Sequence, residues 1–247
     1  MRYFLKLAYN GKNFHGWQMQ DNAITVQQVL NETMSIYMGE TIELTGCGRT
    51  DTGVHAKEFY AHFDLNRLLS DEVKTKAIFK LNCFLKKDIV IYDIITVNPD
   101  AHARFDAISR TYNYIIYRNK NPFNTELSYY YPFKLDIEHM NRGAALLFNY
   151  TDFSCFSKSN TQVYTNNCTI MEVYWKQSGD ELVFTIKADR FLRNMVRAIV
   201  GTLLDLGNGR ITIEDLKNII ENKNRSDAGF SVPAHALFLT KVEYPFL

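Results

Sequence analysis

The sequence predicts an α+β protein made of two related halves, each with a mixed sheet and helices. Three observations support this: alternating strands recur along the chain, amphipathic helices separate them, and the second half repeats the order of the first. With 247 residues, 46% of them hydrophobic, the chain can bury a sizeable core. We expect an N-terminal domain over 1–100 and a C-terminal domain over 101–247, packed together, with the junction between Pro99 and Arg104.

Helix-capping residues mark the elements of the first half. Thr25 and Gln28 fit a capping box at the start of one helix, and Gly39 suits its end. Ser70 is a typical N-cap for a second helix, whose first turn is acidic. Alternating or β-branched stretches between them predict strands. The predicted strands are 2–9, 41–46, 57–65 and 88–97, and the predicted helices are 25–39 and 70–85.

The second half repeats these elements and adds an irregular aromatic segment through Pro122 and Pro132. A hairpin is predicted around residues 178–180, because a glycine-containing turn there separates two alternating stretches. Gly207 ends a long helix, and Thr212 opens a short one. The predicted strands are 108–118, the hairpin 168–188 and 237–244, and the predicted helices are 136–149, 191–207 and 212–220.

The composition indicates neither a secreted protein nor a membrane protein. The N-terminus lacks the apolar core of a signal peptide, and no apolar run approaches the ~20 residues of a membrane helix. The four cysteines are widely spaced and suit reduced thiols, so we expect a cytoplasmic protein without a membrane segment. The formal net charge is only +1, so any nucleic acid must be bound by local clusters of Lys and Arg.

The loop GCGRTDTGVHA, residues 46–56, places one carboxylate, Asp51, close to Arg49. An Asx-turn is the ordinary explanation for an aspartate in such a loop. The loop lacks the order of a phosphate-binding P-loop, and no second acid lies nearby for a glycosidase-like pair. His55 and His62 raise the alternative of a metal site, but two histidines across a loop–strand junction seldom meet ligand geometry.

The predicted helix 191–207 and the residue before it contain three arginines at spacings i, i+3 and i+7. They are Arg190, Arg193 and Arg197. This spacing predicts one basic stripe on the helix, and a solvated edge is its ordinary explanation. Arg197, however, lies within the apolar stretch, where a buried guanidinium needs a carboxylate or phosphate partner. Asp51 is a candidate partner.

In the strand SRTYNYII, Arg110, Tyr112 and Tyr114 share one face. An aromatic ring beside an arginine can stack on a nucleobase. The alternative is that these tyrosines fill the core, as strand tyrosines usually do.

Four ordered motifs resemble the TruA family of tRNA pseudouridine synthases. They are YFLKLAYNGKNFHGWQ, GCGRTDTGVHA, SRTYNYIIY and RFLRNMVRAIVG, and with the terminal VPAHALFLTKVEY they span nearly the whole chain. The resemblance implies a pseudouridine synthase fold, with RRM-like or ferredoxin-like halves packed around a central cleft. It also implies a homodimer that acts on tRNA.

The resemblance further implies the chemistry and the site residues. These enzymes convert uridine to pseudouridine at positions 38, 39 and 40 in the anticodon stem-loop, without cofactor or metal. Asp51 matches the catalytic aspartate, Tyr112 the stacking tyrosine, and Arg197 the arginine that pairs with the aspartate. Arg49 matches the arginine that helps to extrude the target base, and Arg193, on the exposed side of the stripe, is expected to bind tRNA.

Two positions depart from the family pattern, and two other functions compete with it. Thr52 stands where the family usually has alanine, and Ala236 where a glycine normally precedes the leucine. Neither change removes a group that the chemistry needs. A catalytically silent tRNA-binding module would not require Asp51, and an aspartate-dependent hydrolase would need a second acid or a metal site.

Overall fold

A computed structural model describes residues 1–158 and 165–247 and confirms the α+β class. In these residues no helix is long and apolar enough to cross a membrane. In chain order, the strands and α-helices are β1 Arg2–Tyr9, α1 Val26–Met38, β2 Thr45–Gly46, β3 His55–Asp64, α2 Asp71–Phe84, β4 Ile89–Val97, β5 Ser109–Tyr117, β6 Tyr129–Tyr130, α3 Ile137–Leu146, β7 Ile170–Ser178, β8 Glu181–Ala188, α4 Met195–Gly207, α5 Ile213–Asn222 and β9 Leu237–Glu243.

The chain forms two compact units. Unit 1 comprises Met1–Ile108 and Leu239–Leu247, and unit 2 comprises Ser109–Phe238. The last strand thus contributes to unit 1, although it follows unit 2 in sequence. The division into domains 1–100 and 101–247 stays a prediction.

Unit 1 contains strands in the order β4-β1-β3-β9, with the short β2 paired to β3. Strand β1 is antiparallel to both β3 and β4. It is buried along most of its length, which explains its run of large apolar residues. Tyr3, Phe4, Leu5 and Leu7 are fully buried, so β1 forms the centre of this core.

Unit 2 contains the antiparallel strands β5-β8-β7, and β6 lies parallel to β5. The predicted hairpin is confirmed: β7 and β8 are joined through Gly179, whose φ of +59° favours glycine. Helix α4 is buried along most of its length and forms the centre of this unit's core.

The predicted helix ends are largely confirmed. Thr25 accepts from the Gln28 amide at 3.3 Å, and Gly39 ends α1 in the left-handed region. Only the Thr25 half of the capping box predicted for α1 is present, and the Gln28 side chain donates to Glu32 at 3.0 Å. Ser70 caps α2 as predicted.

The strand predicted over 41–46 is wrong for its first four residues, since β2 contains only Thr45 and Gly46. The amides of Ile42 and Leu44 bond to side chains of α1 instead, to Ser35 Oγ at 2.8 Å and Asn31 Oδ1 at 3.0 Å. The apolar alternation therefore predicted the burial of Ile42 and Leu44 correctly. Their amides, however, bond to side chains of α1 and not to a neighbouring strand.

The basic stripe predicted on the long helix is also wrong. Helix α4 begins only at Met195, so Arg190 and Arg193 precede it and only Arg197 is helical. The Asp189 carboxylate accepts from the amides of Arg190 and Thr169, both at 2.7 Å, and fixes the chain in a non-helical turn. The contact between Asp189 and Thr169 spans 20 residues, so local periodicity in the sequence cannot reveal it.

Candidate active site

The loop 46–56 is fixed by hydrogen bonds to other parts of unit 1. The Cys47 amide donates to Tyr60 O at 2.7 Å, and the Gly53 amide donates to Phe14 O at 3.3 Å. Thr50 O accepts from the Trp17 amide at 3.4 Å. Trp17 is itself buried and stacks on Phe59, with ring centroids 4.2 Å apart. The glycine-rich loop therefore has a defined conformation.

The segment 10–17 supports this loop from one side, a role that the sequence analysis missed. A Cβ on Gly11 would lie 2.0 Å from Val54 O, and one on Gly16 would lie 2.3 Å from Thr50 O. Such approaches are open only to glycine. The signal was present in the glycines of NGKNFHGW, but their partner segment could not be read from one sequence.

Asp51 is partly exposed on a turn of this loop. The Val54 amide donates to Asp51 O at 3.1 Å, and Gly53 has φ +79°, as position i+2 of a type II turn requires. The preceding Thr50 is buried, and its Oγ1 lies 2.9 Å from Tyr9 Oη. Arg49 is exposed in the same loop. The Asp51 backbone is thus held on a small, well-defined turn.

We expect Gly16→Ala to destabilise the protein by about 2–4 kcal/mol, because the position combines φ +84° with a Cβ 2.3 Å from Thr50 O. Denaturant unfolding measures the loss, and turnover should fall with it as the Asp51 turn shifts. Gly48→Ala is the matched control, since its Cβ would meet nothing within 4 Å in the same loop. Equal stabilities of the two variants would show that segment 10–17 does not support the loop.

In unit 2, β5 carries two tyrosines with different surroundings. Tyr114 is fully buried, and its hydroxyl donates to Pro233 O at 3.0 Å, so the core-packing alternative is right for this residue. Burial raises the pKa of Tyr114. Tyr112 is partly exposed, and its ring meets Phe191 edge-on at 5.1 Å. Tyr112 is therefore accessible in part, and Phe191 packs against its ring.

Arg197 lies in the first turn of α4 and is partly buried. Its Nε donates to Val232 O at 2.7 Å, and its own carbonyl accepts from the Val232 amide at 3.3 Å. Asn194, in the left-handed region at φ 68°, donates from Nδ2 to Ser231 Oγ at 2.6 Å. These bonds orient Arg197 against segment 231–233.

The predicted site residues are divided between the two units. Arg49 and Asp51 share one loop of unit 1. Tyr112, Arg193 and Arg197 lie in unit 2, with Arg193 exposed in the turn before α4. The pairing of Asp51 with Arg197 joins residues of both units and stays a prediction.

The two histidines raised as metal ligands serve as hydrogen-bond acceptors. Nδ1 of His55 accepts from the Gly11 amide at 3.0 Å, and Nδ1 of His62 accepts from the Ala103 amide at 3.1 Å. Both rings are buried. Among residues 1–158 and 165–247, no three His, Cys, Asp or Glu side chains cluster as a metal site.

We expect stability to decline as the pH falls from about 6.5 to about 4, because burial, with Arg2 and His102 nearby, lowers the pKa of His62 to about 4. In this window the unfolded chain binds a proton that the folded His62 does not. The loss should reach about 2–3 kcal/mol, measured by urea unfolding across the range. His62→Asn, which keeps an acceptor for Ala103, should flatten the slope; an unchanged slope would exclude His62 as its source. Some slope will remain, since the pKa of His102 is lowered too.

Thr52 and Ala236 are the two residues that depart from the family pattern. Thr52 is exposed at the second position of the Asp51 turn. Ala236 is buried at the end of the 3₁₀ turn 234–236, and it does not lie in the left-handed region. A residue with a Cβ therefore occupies this backbone without strain.

These features define a class of protein: an α+β fold with a carboxylate on a hydrogen-bonded polar turn in unit 1, and with a partly exposed tyrosine and two arginines in unit 2. A family model described as tRNA pseudouridine synthase matches residues 146–245. Over 244 residues the chain is 56% identical to tRNA pseudouridine synthase A of Parabacteroides distasonis, covering 99% of this chain and 96% of the relative.

More distant relatives agree over the same length. The tRNA pseudouridine synthase A of Bacteroides fragilis is 50% identical over 99% of this chain and 96% of its own. That of Clostridium acetobutylicum is 38% identical over 97% of this chain and 98% of its own. The chain therefore belongs to the tRNA pseudouridine synthase family, isomerases that convert uridine to pseudouridine.

Proposed function

We propose that this protein isomerises uridine at positions 38, 39 and 40 in the anticodon stem-loop of tRNA, with Asp51 as the catalytic carboxylate. The observation that supports this most is the Asp51 turn, a carboxylate in a loop whose sequence matches the family motif and whose backbone is held by segment 10–17. A module that only bound tRNA would not need a carboxylate on so constrained a turn.

The target nucleotide must leave its stem before it can react. Flipping a stacked nucleotide costs a few kcal/mol. Arg49, exposed two residues before Asp51, suits this step, because it can fill the vacated space or hold a phosphate. Tyr112 is partly exposed, and the flipped uracil can then stack on its ring.

The reaction breaks the N1–C1′ bond and forms a C5–C1′ bond in the same nucleotide. Asp51 acts as nucleophile toward C1′ or C6, or as a base that generates a glycal. The proton leaves C5 and N1 gains one, so atoms balance without an oxidant or reductant. Tyr112 can help to remove the C5 proton if its hydroxyl reaches the ring.

Two arginines of unit 2 complete the proposed site. Arg197 pairs with Asp51, as the family pattern implies. Arg193 is exposed and binds a tRNA phosphate. We further propose a cytoplasmic homodimer, in which local cations of both copies compensate for a formal net charge of only +1.

Release of tritium from tRNA labelled at uridine C5 tests the proposal directly. We expect the wild-type protein to release it from an anticodon stem-loop carrying uridine at 38, 39 and 40. A stem-loop with cytidine at these positions and labelled uridine elsewhere is the control. No release from the first substrate, or equal release from both, would overturn the proposal.

A further inference from the structure

The segment 118–134, which we call the aromatic segment, has no role in the chemistry above. At its tip, Phe123 is 91% exposed, more than any other large hydrophobic side chain in the described part of the chain. Tyr130 and Phe133 in the same segment are 49% and 59% exposed. Because burying an aromatic side chain is favourable, three exposed rings in one segment indicate a surface that binds a partner.

The exposure of Phe123 is built into the backbone. The Phe123 amide donates to Asn121 Oδ1 at 3.0 Å, and the Asn124 amide donates to Asn121 O at 3.2 Å. Pro122 restricts φ between them. The Leu127 amide then donates to Asn124 O at 3.1 Å and closes a second turn. Two successive turns thus hold the ring outward, which lowers the entropy that a ligand must remove on binding.

The base of the aromatic segment contacts the part of unit 2 that holds Arg197. Nε2 of His235 donates to Ser128 O at 3.1 Å, and His235 lies three residues after Val232, the acceptor for Arg197. The ring of Tyr129 meets that of Tyr114 edge-on, with centroids 6.5 Å apart. Residues 128 and 129 of the segment therefore pack against this part of unit 2.

The charge of the aromatic segment suits a polyanion. It contains Arg118, Lys120 and Lys134 but only one carboxylate, Glu126, whereas the whole chain is nearly neutral. One further acid, Asp180, accepts from Asn119 at 2.8 Å at the start of the segment. Exposed aromatic rings interleaved with cations are the chemistry that binds unpaired nucleotides, by stacking and phosphate neutralisation.

We propose that the aromatic segment is a tRNA-binding element in which Phe123 stacks on an unpaired base. The inference rests on the proposed function for the choice of RNA. Its contact lies outside the reacting nucleotide, so it contributes to binding and not to chemistry.

Replacing Phe123 with Ala should weaken binding of the anticodon stem-loop about five- to hundredfold and raise KM. The single-turnover rate at saturating RNA should stay unchanged. Phe123→Tyr should restore binding, because it keeps the ring. Phe79→Ala, which removes a 65% exposed phenylalanine from α2, is the matched control and should change neither quantity. Equal affinities of Phe123→Ala and wild type would overturn the proposal.

Fluorescence of Phe123→Trp gives a second readout that does not need activity. Both native tryptophans are buried, Trp17 at 2% and Trp175 at 4% exposure, so the new indole reports on position 123. We expect the stem-loop to quench it and a fully paired duplex of equal length to quench it much less. No quenching by the stem-loop, or a change in mass by light scattering for Phe123→Ala, would contradict an RNA contact. Quenching without tritium release from wild type would instead count against the proposed function alone.

Discussion

Asp51→Asn and Asp51→Ala are expected to abolish pseudouridine formation while tRNA binding stays within about tenfold, or ~1.4 kcal/mol. The reason is that either replacement removes the only group to which the proposed mechanism gives the roles of nucleophile or base. Asn keeps nearly the same shape, so the Asp51 turn, which the Val54 amide closes on a backbone carbonyl, should survive. Tritium release over long incubation measures turnover, and filter binding measures affinity.

Asp71→Asn provides the control for this experiment, since its carboxyl side chain is 98% exposed at the start of α2. It should retain full activity. Substantial product from either Asp51 variant would remove the carboxylate from the mechanism. Loss of binding together with loss of turnover would show instead that the loop had changed shape.

Sequence reasoning succeeded where the controlling interaction is local. Thr25, Ser70 and Thr212 cap helices as predicted, because each side chain bonds an amide three residues on. Gly39 ends its helix for an equally local reason, since its left-handed backbone favours glycine. These contacts lie inside one turn of helix, within the range of a pattern read along the chain.

The same reasoning failed where a residue distant in sequence determines the backbone conformation. Asp189 bonds the amide of Thr169, and α4 therefore starts four residues later than its apolar pattern indicates. Strand periodicity likewise placed Tyr112 and Tyr114 on one face but could not tell which of them is buried. That difference depends on partners such as Pro233 and Phe191, which are remote in sequence.

In the loop that holds Asp51, sequence reasoning found the carboxylate but not the contacts that support it. Asp51 was identified by its motif, through resemblance and not through any local physical rule. The rigidity of its loop depends on Gly11 and Gly16, whose backbones approach Val54 and Thr50. A single sequence contains these glycines but not the pairing of the two segments, so the support for the carboxylate became visible only in three dimensions.

Arg197→Met is expected to lower the single-turnover rate by about 10²- to 10³-fold. Met has a similar length and suits the apolar neighbours of α4, but it leaves a proposed carboxylate partner without its cation. Single-turnover rates at saturating tRNA, compared between wild type and variant, measure the loss.

Loss of the Arg197 bond to Val232 O could also lower activity by moving segment 231–233, and a double-mutant cycle separates the two causes. If Asp51 and Arg197 pair, the unfolding free energies of Arg197→Met, Asp51→Asn and the double variant should show a coupling above about 1 kcal/mol. Arg210→Met with Asp205→Asn is the matched cycle, because that pair lies 3.0 Å apart with the arginine 62% exposed, where coupling should stay at about 0–1 kcal/mol. A coupling near zero between Asp51 and Arg197 would mean that Arg197 orients segment 231–233 and does not serve the carboxylate.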